Sequence, residues 1–259
     1  HRDLHSFPTR RSSDLVFMLS FAMPILQIII WSIEVFAKEW SGKYTGFISS
    51  TAILTLSAAA LTVTVATILA LPSSCKNNSR VLQMLIHFST LGYALPGSVM
   101  AVGLMYGVQN ISLINEYFGG SSLNHLLFGS IALLLFAYVS RFMAIAYNSA
   151  NASAEQIKPV YEQSARLLGA SRFHLVWKVY LPMMTPGIMA GALLVAVDVM
   201  KELPATYLLR PFGWDTLAIR VYELSAEGLF ERAAVPALMM VVFGAVLMLA
   251  FNKLDSSRL

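Results

Sequence analysis

Charged residues are scarce in this chain of 259 residues. They make up 12% of it, whereas a soluble globular domain carries about 25%. Hydrophobic residues make up 57%, and the mean hydropathy is +0.65. This composition excludes a disordered chain, a basic nucleic-acid-binding domain and an ordinary soluble enzyme. It predicts an integral membrane protein, in which the net charge of +4 comes from Lys and Arg in loops.

Cysteine and nucleotide-binding motifs are also close to absent. Cys75 is the single cysteine, which excludes an internal disulfide and a cysteine-based metal cluster. The phosphate-binding pattern G-x-x-x-x-G-K-[ST] does not occur, because Gly42-Lys43 lacks the upstream glycine and precedes Tyr44. The chain therefore lacks the signature of an ATPase. It also lacks the paired groups that an intramembrane enzyme would need, such as two Asp, a Ser-His pair or H-E-x-x-H.

The first fifteen residues differ from the rest of the chain. They read HRDLHSFPTRRSSDL, with three Arg and no apolar period, and the composition changes abruptly at Val16. The stretch resembles the translation of a common sequencing adapter. We therefore predict that residues 1–15 are non-native and that residues 16–259 form the transmembrane domain of a protein truncated at its N-terminus. The alternative is a genuine basic cytoplasmic segment.

Long apolar runs take the place of charge. A membrane helix needs about 20 mostly apolar residues. The runs predict an all-α fold with six transmembrane helices: Val16–Ile33, Gly46–Leu71, Val81–Val108, Phe128–Tyr147, Gly187–Thr206 and Ala233–Phe251. Pro96-Gly97 inside the third span is tolerated where neighbouring helices satisfy the freed carbonyls. Asn110–Leu127 is predicted to be a loop.

A long polar interruption separates the fourth and fifth predicted spans, at about residues 148–186. Tyr161–Leu168 has helix-forming composition, Gly169 follows where a helix C-cap would lie, and Ser171 can cap a second helix. That second helix has an apolar face, made of Phe173, Val176, Trp177 and Tyr180, and is expected to end at Leu181-Pro182. The pattern predicts either a docking site for a soluble partner or an amphipathic helix on the bilayer surface.

The same interruption carries a spaced motif. Gln163-Ser164-Ala165 is followed, three residues later, by Gly169 and, nine residues after that, by Val179-Tyr180-Leu181-Pro182. The permease subunits of binding-protein-dependent ABC importers share the cytoplasmic motif EAA, three residues, G, nine residues, I, one residue, LP. The spacing agrees throughout; Gln163, Ser164 and Val179 depart from it, and Glu162 lies one position early. The chain thus resembles a type I ABC importer permease domain with a cytoplasmic coupling loop.

This resemblance implies partners and an orientation. In the family the loop enters a cleft of the ATPase subunit and transmits its closure to the membrane helices. Other implied partners are an extracytoplasmic substrate-binding protein, a second permease half and membrane lipid, with no nucleic acid. This chain would bind no cofactor, because ATP and magnesium belong to the ATPase dimer. The residues implied to couple to the ATPase are Glu162, Gln163, Ser164, Ala165, Gly169, His174, Leu181 and Pro182. The resemblance places the loop in the cytoplasm. The excess of Lys and Arg on that side over the other side is small, so charge alone does not determine the orientation.

Further stretches resemble ferric iron permeases. They are KELPAT at 201–206, LLRPF at 208–212, DTLA at 215–218, GYALPG at 92–97 and AYVSRF at 137–142. Such permeases are usually one chain of two homologous six-helix halves, related by a pseudo-twofold axis, and this chain would be the second half. Thiamine, polyamine and phosphonate permeases are close relatives, and they remain the alternatives for the cargo.

Charged residues near the outer end of the fifth predicted span are candidates for the translocation path. Intramembrane charges usually face a cavity or each other. Together with the resemblance to ferric iron permeases, this favours Lys201 and Glu202 as a polar gate. Asp198 precedes Glu202 by one helical turn, and Pro204 would break the helix. Arg141 is either a path residue or an interface anchor. Lys201 and Glu202 could instead extend to the interface and only orient the helix. Ferric iron favours oxygen ligands, but a transporter must release its cargo, so no metal site is predicted.

Other candidate residues fit packing better than binding. His87 and His125 are isolated, and the 13 Met are scattered. An interfacial aromatic belt is predicted for Tyr207, Phe212, Trp214 and Tyr222. The predicted function is therefore a multi-pass transport subunit of the bacterial inner membrane that works by alternating access. Two alternatives come from other classes. An intramembrane enzyme would need catalytic pairs, which the sequence lacks, and a structural anchor would not need the spaced motif.

Overall fold

The computed structural model describes residues 14–74, 80–117 and 129–256, and the regular elements in these ranges are all helical. Residues 1–13, Cys75, His125 and the predicted loop beyond Tyr117 lie outside the described residues. In chain order the helices are α1 (Asp14–Glu39), α2 (Lys43–Ser74), α3 (Arg80–Thr90), α4 (Gly97–Tyr117), α5 (Ile131–Glu155), α6 (Pro159–Leu167), α7 (Arg172–Met200), α8 (Pro204–Leu209), α9 (Leu217–Ala226) and α10 (Phe230–Ser256).

Five of the described helices are long and apolar enough to cross a membrane, namely α1, α2, α5, α7 and α10. The α3–α4 pair passes the same test only when taken together, with a bend of 118° between Arg80–Ala94 and Gly97–Ile111. Counting that pair as one span gives the six predicted spans. The sequence had suggested one continuous helix for Val81–Val108. In the structure this stretch is instead interrupted by the bend.

The bend has a local cause, and the bent pair packs against α5. Pro96 has no backbone N–H to continue the helix, and a short 3₁₀ turn at Leu91–Ala94 precedes it. Gly92 lies so close to α5 that an added Cβ would be 2.1 Å from the carbonyl oxygen of Ser140. The bent pair is therefore fitted against α5 at a position where a side chain has no room.

Helix α7 extends further than predicted at its cytoplasmic end. Leu181-Pro182 does not stop it, because Val176–Tyr180 forms a π-helical turn in which the Leu181 N–H donates to the Val176 carbonyl five residues earlier. This wider turn accommodates the extra residue just before Pro182, which has no N–H to offer. The second helix of the cytoplasmic interruption and the fifth span are consequently one helix.

Two other boundaries differ from expectation. Helix α4 continues through Asn110 to Tyr117, so this part of the predicted loop is helical. Helix α2 passes Leu71 and ends at Ser74. Local propensity does not fix such ends, because tertiary packing overrides it.

The core is formed by α2, α5 and α7, which pack against one another. Small buried residues at their contacts allow close approach of the backbones. Examples are Ala58 and Ala66 on α2, Ala137 and Ala146 on α5 and Ala196 on α7. In contrast, only 6% of the most apolar window of α1 is buried. Helix α1 packs on α10, which also contacts α9.

Candidate functional site

The coupling segment, named for the role that the resemblance implies, comprises residues 159–182. It contains α6, a tight turn and the first part of α7. Helix α6 ends at Leu167, and Gly169 follows with φ +81°, a conformation that glycine adopts without steric cost. The Gly169 and Ala170 N–H groups donate to the carbonyls of Arg166 and Ala165. Ser171 Oγ then accepts from the His174 N–H at 3.3 Å, which confirms the predicted helix cap.

Large apolar side chains protrude from this segment. Leu167 is 89% exposed, and Leu168 is 88% exposed. Phe173 and Trp177 are also exposed, with ring centroids 5.9 Å apart. The predicted apolar face is divided, because Tyr180 is buried against α5. The exposed part is an apolar surface on the outside of the segment.

The segment also packs against the rest of the chain. Leu175, Tyr180 and Met184 pack in a cluster with Ala150 and Ala154 of α5. Glu162 accepts a hydrogen bond of 2.8 Å from the Tyr180 hydroxyl and pairs with Arg166 at 2.5 Å. Glu162, the acidic residue that lies one position early in the motif, thus joins α6 to α7.

The other motif residues line the outside of the segment. Gln163, Ser164, His174 and Pro182 are exposed, while Ala165 and Leu181 are half-buried. A cleft of about 500 Å³ lies beside the turn and is bordered by Ala165, Leu168, Gly169, Ala170, Ser171, His174, Lys178 and Val179. The surface at the turn is therefore both apolar and concave.

A polar cluster occupies the other end of α7. Glu202 is 8% exposed, and its Oε2 lies 3.3 Å from Arg141 Nε on α5. Arg141 Nη1 also donates to the Leu95 carbonyl at 2.8 Å, at the bend between α3 and α4. The Tyr138 hydroxyl and Thr206 Oγ1 are 2.6 Å apart. The cluster therefore joins α5 to two interrupted helices, the α3–α4 bend and the α7–α8 break.

The remaining path candidates lie beside this cluster. Asp198 pairs with Lys201 at 2.9 Å, and the Lys201 side chain is 63% exposed. Helix α7 ends at Met200, so the helical spacing that suggested a shared face for Asp198 and Glu202 does not extend to Glu202. The predicted fifth span is interrupted at residues 201–203, directly before Pro204, and Pro204 starts α8, where proline is favoured.

Sequence reasoning missed a second charged cluster, beyond the outer ends of the spans. Glu39, with a side chain 2% exposed, pairs with Arg220 at 2.7 Å and with Arg232 at 2.5 Å. The Tyr44 hydroxyl donates to Glu39 at 2.9 Å. Burial acts to lower the pKa of the Arg220 guanidinium, but hydrogen bonding with Glu39 and Tyr44 outweighs it and raises that pKa. The sequence offered one indication of this cluster, which is the acidic residue Glu39 at the end of an apolar helix.

Neighbouring residues extend this network. Arg210 pairs with Asp215 at 2.8 Å and lies over the Tyr207 ring at 5.0 Å. Tyr207 meets Tyr222 edge-on, with centroids 5.5 Å apart. Phe212 is fully exposed, whereas Trp214 packs on the core. The four predicted belt aromatics therefore divide into an edge-to-face pair, an exposed tip and a packing residue.

No metal centre is evident in the described ranges 14–74, 80–117 and 129–256, where no three His, Cys, Asp or Glu side chains are grouped to hold an ion. His87 is exposed on α3.

The sequence pattern of one protein family covers most of the chain. The family described as "Binding-protein-dependent transport system inner membrane component" matches residues 63–258. The chain belongs to this permease family. It is accordingly a multi-pass protein of the bacterial inner membrane, as the sequence predicted.

Relatives of this permease differ in their stated cargo. It is 28% identical to a Fe(3+)-transport system permease protein of Haemophilus influenzae, over 92% of this chain and 45% of that protein. It is 25% identical to a putative 2-aminoethylphosphonate transport system permease protein of Salmonella typhimurium, over 62% of this chain and 58% of that protein. A molybdenum transport system permease protein of Mycobacterium tuberculosis is 25% identical, over 88% of this chain and 87% of that protein. The permease thus spans about half the length of the first two relatives.

A solved structure has the same fold. The permease superposes on a chain of a bacterial ABC transporter "involved in the import of the acidic polysaccharide alginate" with a TM-score of 0.78. The match covers 95% of this permease and 93% of that chain, at 15% sequence identity. The all-helical importer-permease architecture predicted from the spaced motif is therefore confirmed.

Proposed function

We propose that this permease is the membrane-spanning part of an ATP-driven importer that moves ferric iron by alternating access. The observation that carries the proposal is the continuity of α7. This helix begins in the coupling segment and runs for 29 residues, a length of about 43 Å, to the edge of the Arg141–Glu202 cluster. A displacement at the end of α7 in the coupling segment would therefore reach the cluster through a single helix.

The proposed partner at the cytoplasmic end is a dimer of ATPase subunits, which would hold ATP and magnesium. Exposed apolar residues on a tethered segment are typical of a protein contact, and Leu167, Leu168, Phe173 and Trp177 supply them. The cleft beside Gly169 would receive ATPase side chains. This chain would do no bond-making chemistry.

The proposed path runs along the polar cluster and its rim. Arg141 and Glu202 lie where two helices are interrupted, and interrupted helices within a membrane often line substrate sites. Asp198 and Lys201 would form the rim, and Pro204 would fix the start of α8. An extracytoplasmic binding protein would dock at residues 208–232, where Phe212 protrudes.

Two observations support ferric iron as the cargo. One is the Haemophilus iron permease relative, aligned over 92% of this chain. The other is the resemblance at residues 201–218 to ferric iron permeases. A phosphonate is the second candidate, because the Salmonella relative is named for 2-aminoethylphosphonate at a comparable identity of 25%.

The test combines uptake with partner capture. The full-length gene, expressed with its neighbouring ATPase and binding-protein genes, should restore energy-dependent uptake of radioactive ferric iron in iron-starved cells. Leu168→Asp should abolish uptake and prevent co-purification of the ATPase, because it places a charge on the exposed contact surface. Its thermal unfolding in detergent should match that of wild type, since Leu168 is 88% exposed.

Phe212→Asp provides the matched control for partner capture. Phe212 is also fully exposed but lies beyond the other end of α7, so the ATPase should still co-purify. A wild-type permease that captures no ATPase would contradict the importer proposal. Capture of the ATPase with uptake of 2-aminoethylphosphonate instead of iron would contradict only the cargo.

A further inference from the structure

The Arg141–Glu202 pair bridges two helix interruptions that are distant in sequence. Arg141 projects from the continuous helix α5 and contacts both the Leu95 carbonyl at the α3–α4 bend and the carboxylate of Glu202 after α7. Glu202 Oε1 in turn accepts from the Ala205 N–H at 3.3 Å, in the first turn of α8. One arginine and one carboxylate thus hold both interruptions against α5.

The fit around the pair is tight. A Cβ on Gly97, the first residue of α4, would lie 2.4 Å from Glu202 Oε1 and 3.0 Å from Arg141 Nη1. A side chain on the first residue of α4 would therefore push against the ends of both charged side chains. The geometry of the charge contact is less favourable: Arg141 Nε is buried and makes no directed hydrogen bond. Such a contact holds α5 against the residues after α7, but the free energy needed to separate the two charges remains moderate.

The pair is also mechanically connected to the coupling segment. Glu202 follows α7 by two residues, and its backbone carbonyl accepts from Thr206 Oγ1 at 2.5 Å. Thr206 also contacts Tyr138, one turn before Arg141 on α5. A shift of α7 relative to α5 must therefore either carry Arg141 along or separate the two charges. Separated charges in a membrane interior need new partners, so the closed arrangement is favoured until an outside force opens it.

We propose that Arg141 and Glu202 act as positioning residues that form a latch, which holds the permease in a resting state and opens when the coupling segment moves. This proposal rests on the proposed function. The resting importer would hydrolyse ATP slowly because the latch resists movement of the coupling segment. Docking of the loaded binding protein would supply the energy to open it, which is a coupling between two sites.

The test measures ATP hydrolysis by the purified importer, reconstituted in lipid with its ATPase, with and without the loaded binding protein. Glu202→Gln should raise hydrolysis in the absence of binding protein about fivefold or more, the lower range of typical site coupling. Stimulation by the binding protein should fall accordingly. Gly97→Ala should act in the same direction without removing a charge, because its methyl group separates the pair.

Gly103→Ala is the matched control, since it lies on the same helix and its Cβ would meet nothing within 4 Å. It should keep the wild-type dependence on the binding protein. The charge-reversed double variant Arg141→Glu with Glu202→Arg should recover part of that dependence through the reversed ion pair, although it loses the contacts with the Leu95 carbonyl and the Ala205 N–H. A purely steric role would allow no recovery.

The outcomes separate the two proposals. A wild-type permease without a bound ATPase overturns the proposed function. A wild-type complex that is stimulated by its binding protein, together with unchanged hydrolysis in Glu202→Gln and Gly97→Ala, overturns the latch alone. If either charge deletion abolishes assembly and charge reversal does not restore it, the pair serves folding and the latch is also overturned.

Discussion

Glu39 is a single carboxylate that holds the outer ends of four helices. It terminates α1 and contacts Tyr44 at the start of α2, Arg220 on α9 and Arg232 at the start of α10. Apolar packing attaches α1 only in part, because most of its surface is exposed. The ion pairs therefore supply much of the register between α1 and the α9–α10 unit.

Glu39→Gln should destabilise the permease. Breaking a buried ion pair on one side costs about 3–5 kcal/mol. Arg220 and Arg232 keep partial access to solvent, at 24% and 45% exposure, which reduces the loss to about 2 kcal/mol. The measurement is thermal unfolding of the detergent-solubilised protein. Glu34→Gln, an exposed carboxylate on the same helix, should leave the transition unchanged, and equal transitions for both variants would contradict the assigned role of Glu39.

Residue-level features were predictable from sequence where they depend on near neighbours. The Ser171 cap and the turn at Gly169 involve residues a few positions apart, and the structure has both. The partners of Glu39 and Glu202 were not predictable. Arg220 is 181 residues from Glu39, and charge pairing over such distances follows from helix packing that the sequence does not display.

At the scale of elements, the contact between α5 and α7 depends on two glycines one turn apart. A Cβ on Gly187 would lie 2.3 Å from the Ser149 carbonyl oxygen and 2.2 Å from Ser153 Oγ, and one on Gly191 would lie 3.2 Å from Ser149 Cβ. Spacing of small residues by four positions lets membrane helices approach closely. Because α7 connects the coupling segment to the polar cluster, this contact also sets the position of both.

Gly187→Ala should force α5 and α7 apart, because the added methyl group would meet the Ser149 carbonyl oxygen, a backbone atom that cannot rotate away as the Ser153 hydroxyl can. Overpacking of this kind costs about 1–3 kcal/mol. The yield of monodisperse protein after solubilisation and its midpoint of thermal unfolding should both fall. The control is Gly107→Ala, whose Cβ would contact nothing within 4 Å. Similar yields and midpoints for the two variants would show that α7 accommodates the methyl group by shifting.

The elements also show where sequence reasoning stopped. Apolar runs correctly indicated the five long apolar helices, and the sixth predicted span corresponds to the bent α3–α4 pair counted as one. Hydropathy reports the cost of burying polar groups in lipid. The effects of two prolines were predicted incorrectly. Pro182 was expected to end a helix but follows a π-turn within one, and Pro96 was expected to be tolerated within a span but lies at a 118° bend. Proline acts through the backbone hydrogen bonds around it, and these are decided by packing against α5.

At the scale of the whole molecule, the described chain leaves large apolar faces uncovered. Phe88 on α3 and Tyr106 on α4 are 72% and 69% exposed, and α1 is mostly exposed. Some of this surface faces lipid. The bent α3–α4 pair is different, because its polar interruption cannot face hydrocarbon without cost. A second permease domain, either fused or a second copy, would cover that interruption.

The assembled importer should therefore contain two permease domains for every two ATPase subunits. The measurement is the mass of the detergent-free complex by native mass spectrometry, with the full-length gene expressed together with its ATPase. A fused protein should give one permease chain per complex, and a single-domain protein should give two copies of its permease chain. Tyr106→Arg places a charge on the exposed α4 face and should release one domain, or disrupt the fused pair, if that face lies at the contact. A stable, transport-active complex with a single permease domain would contradict this arrangement, because the polar interruption between α3 and α4 would then remain uncovered.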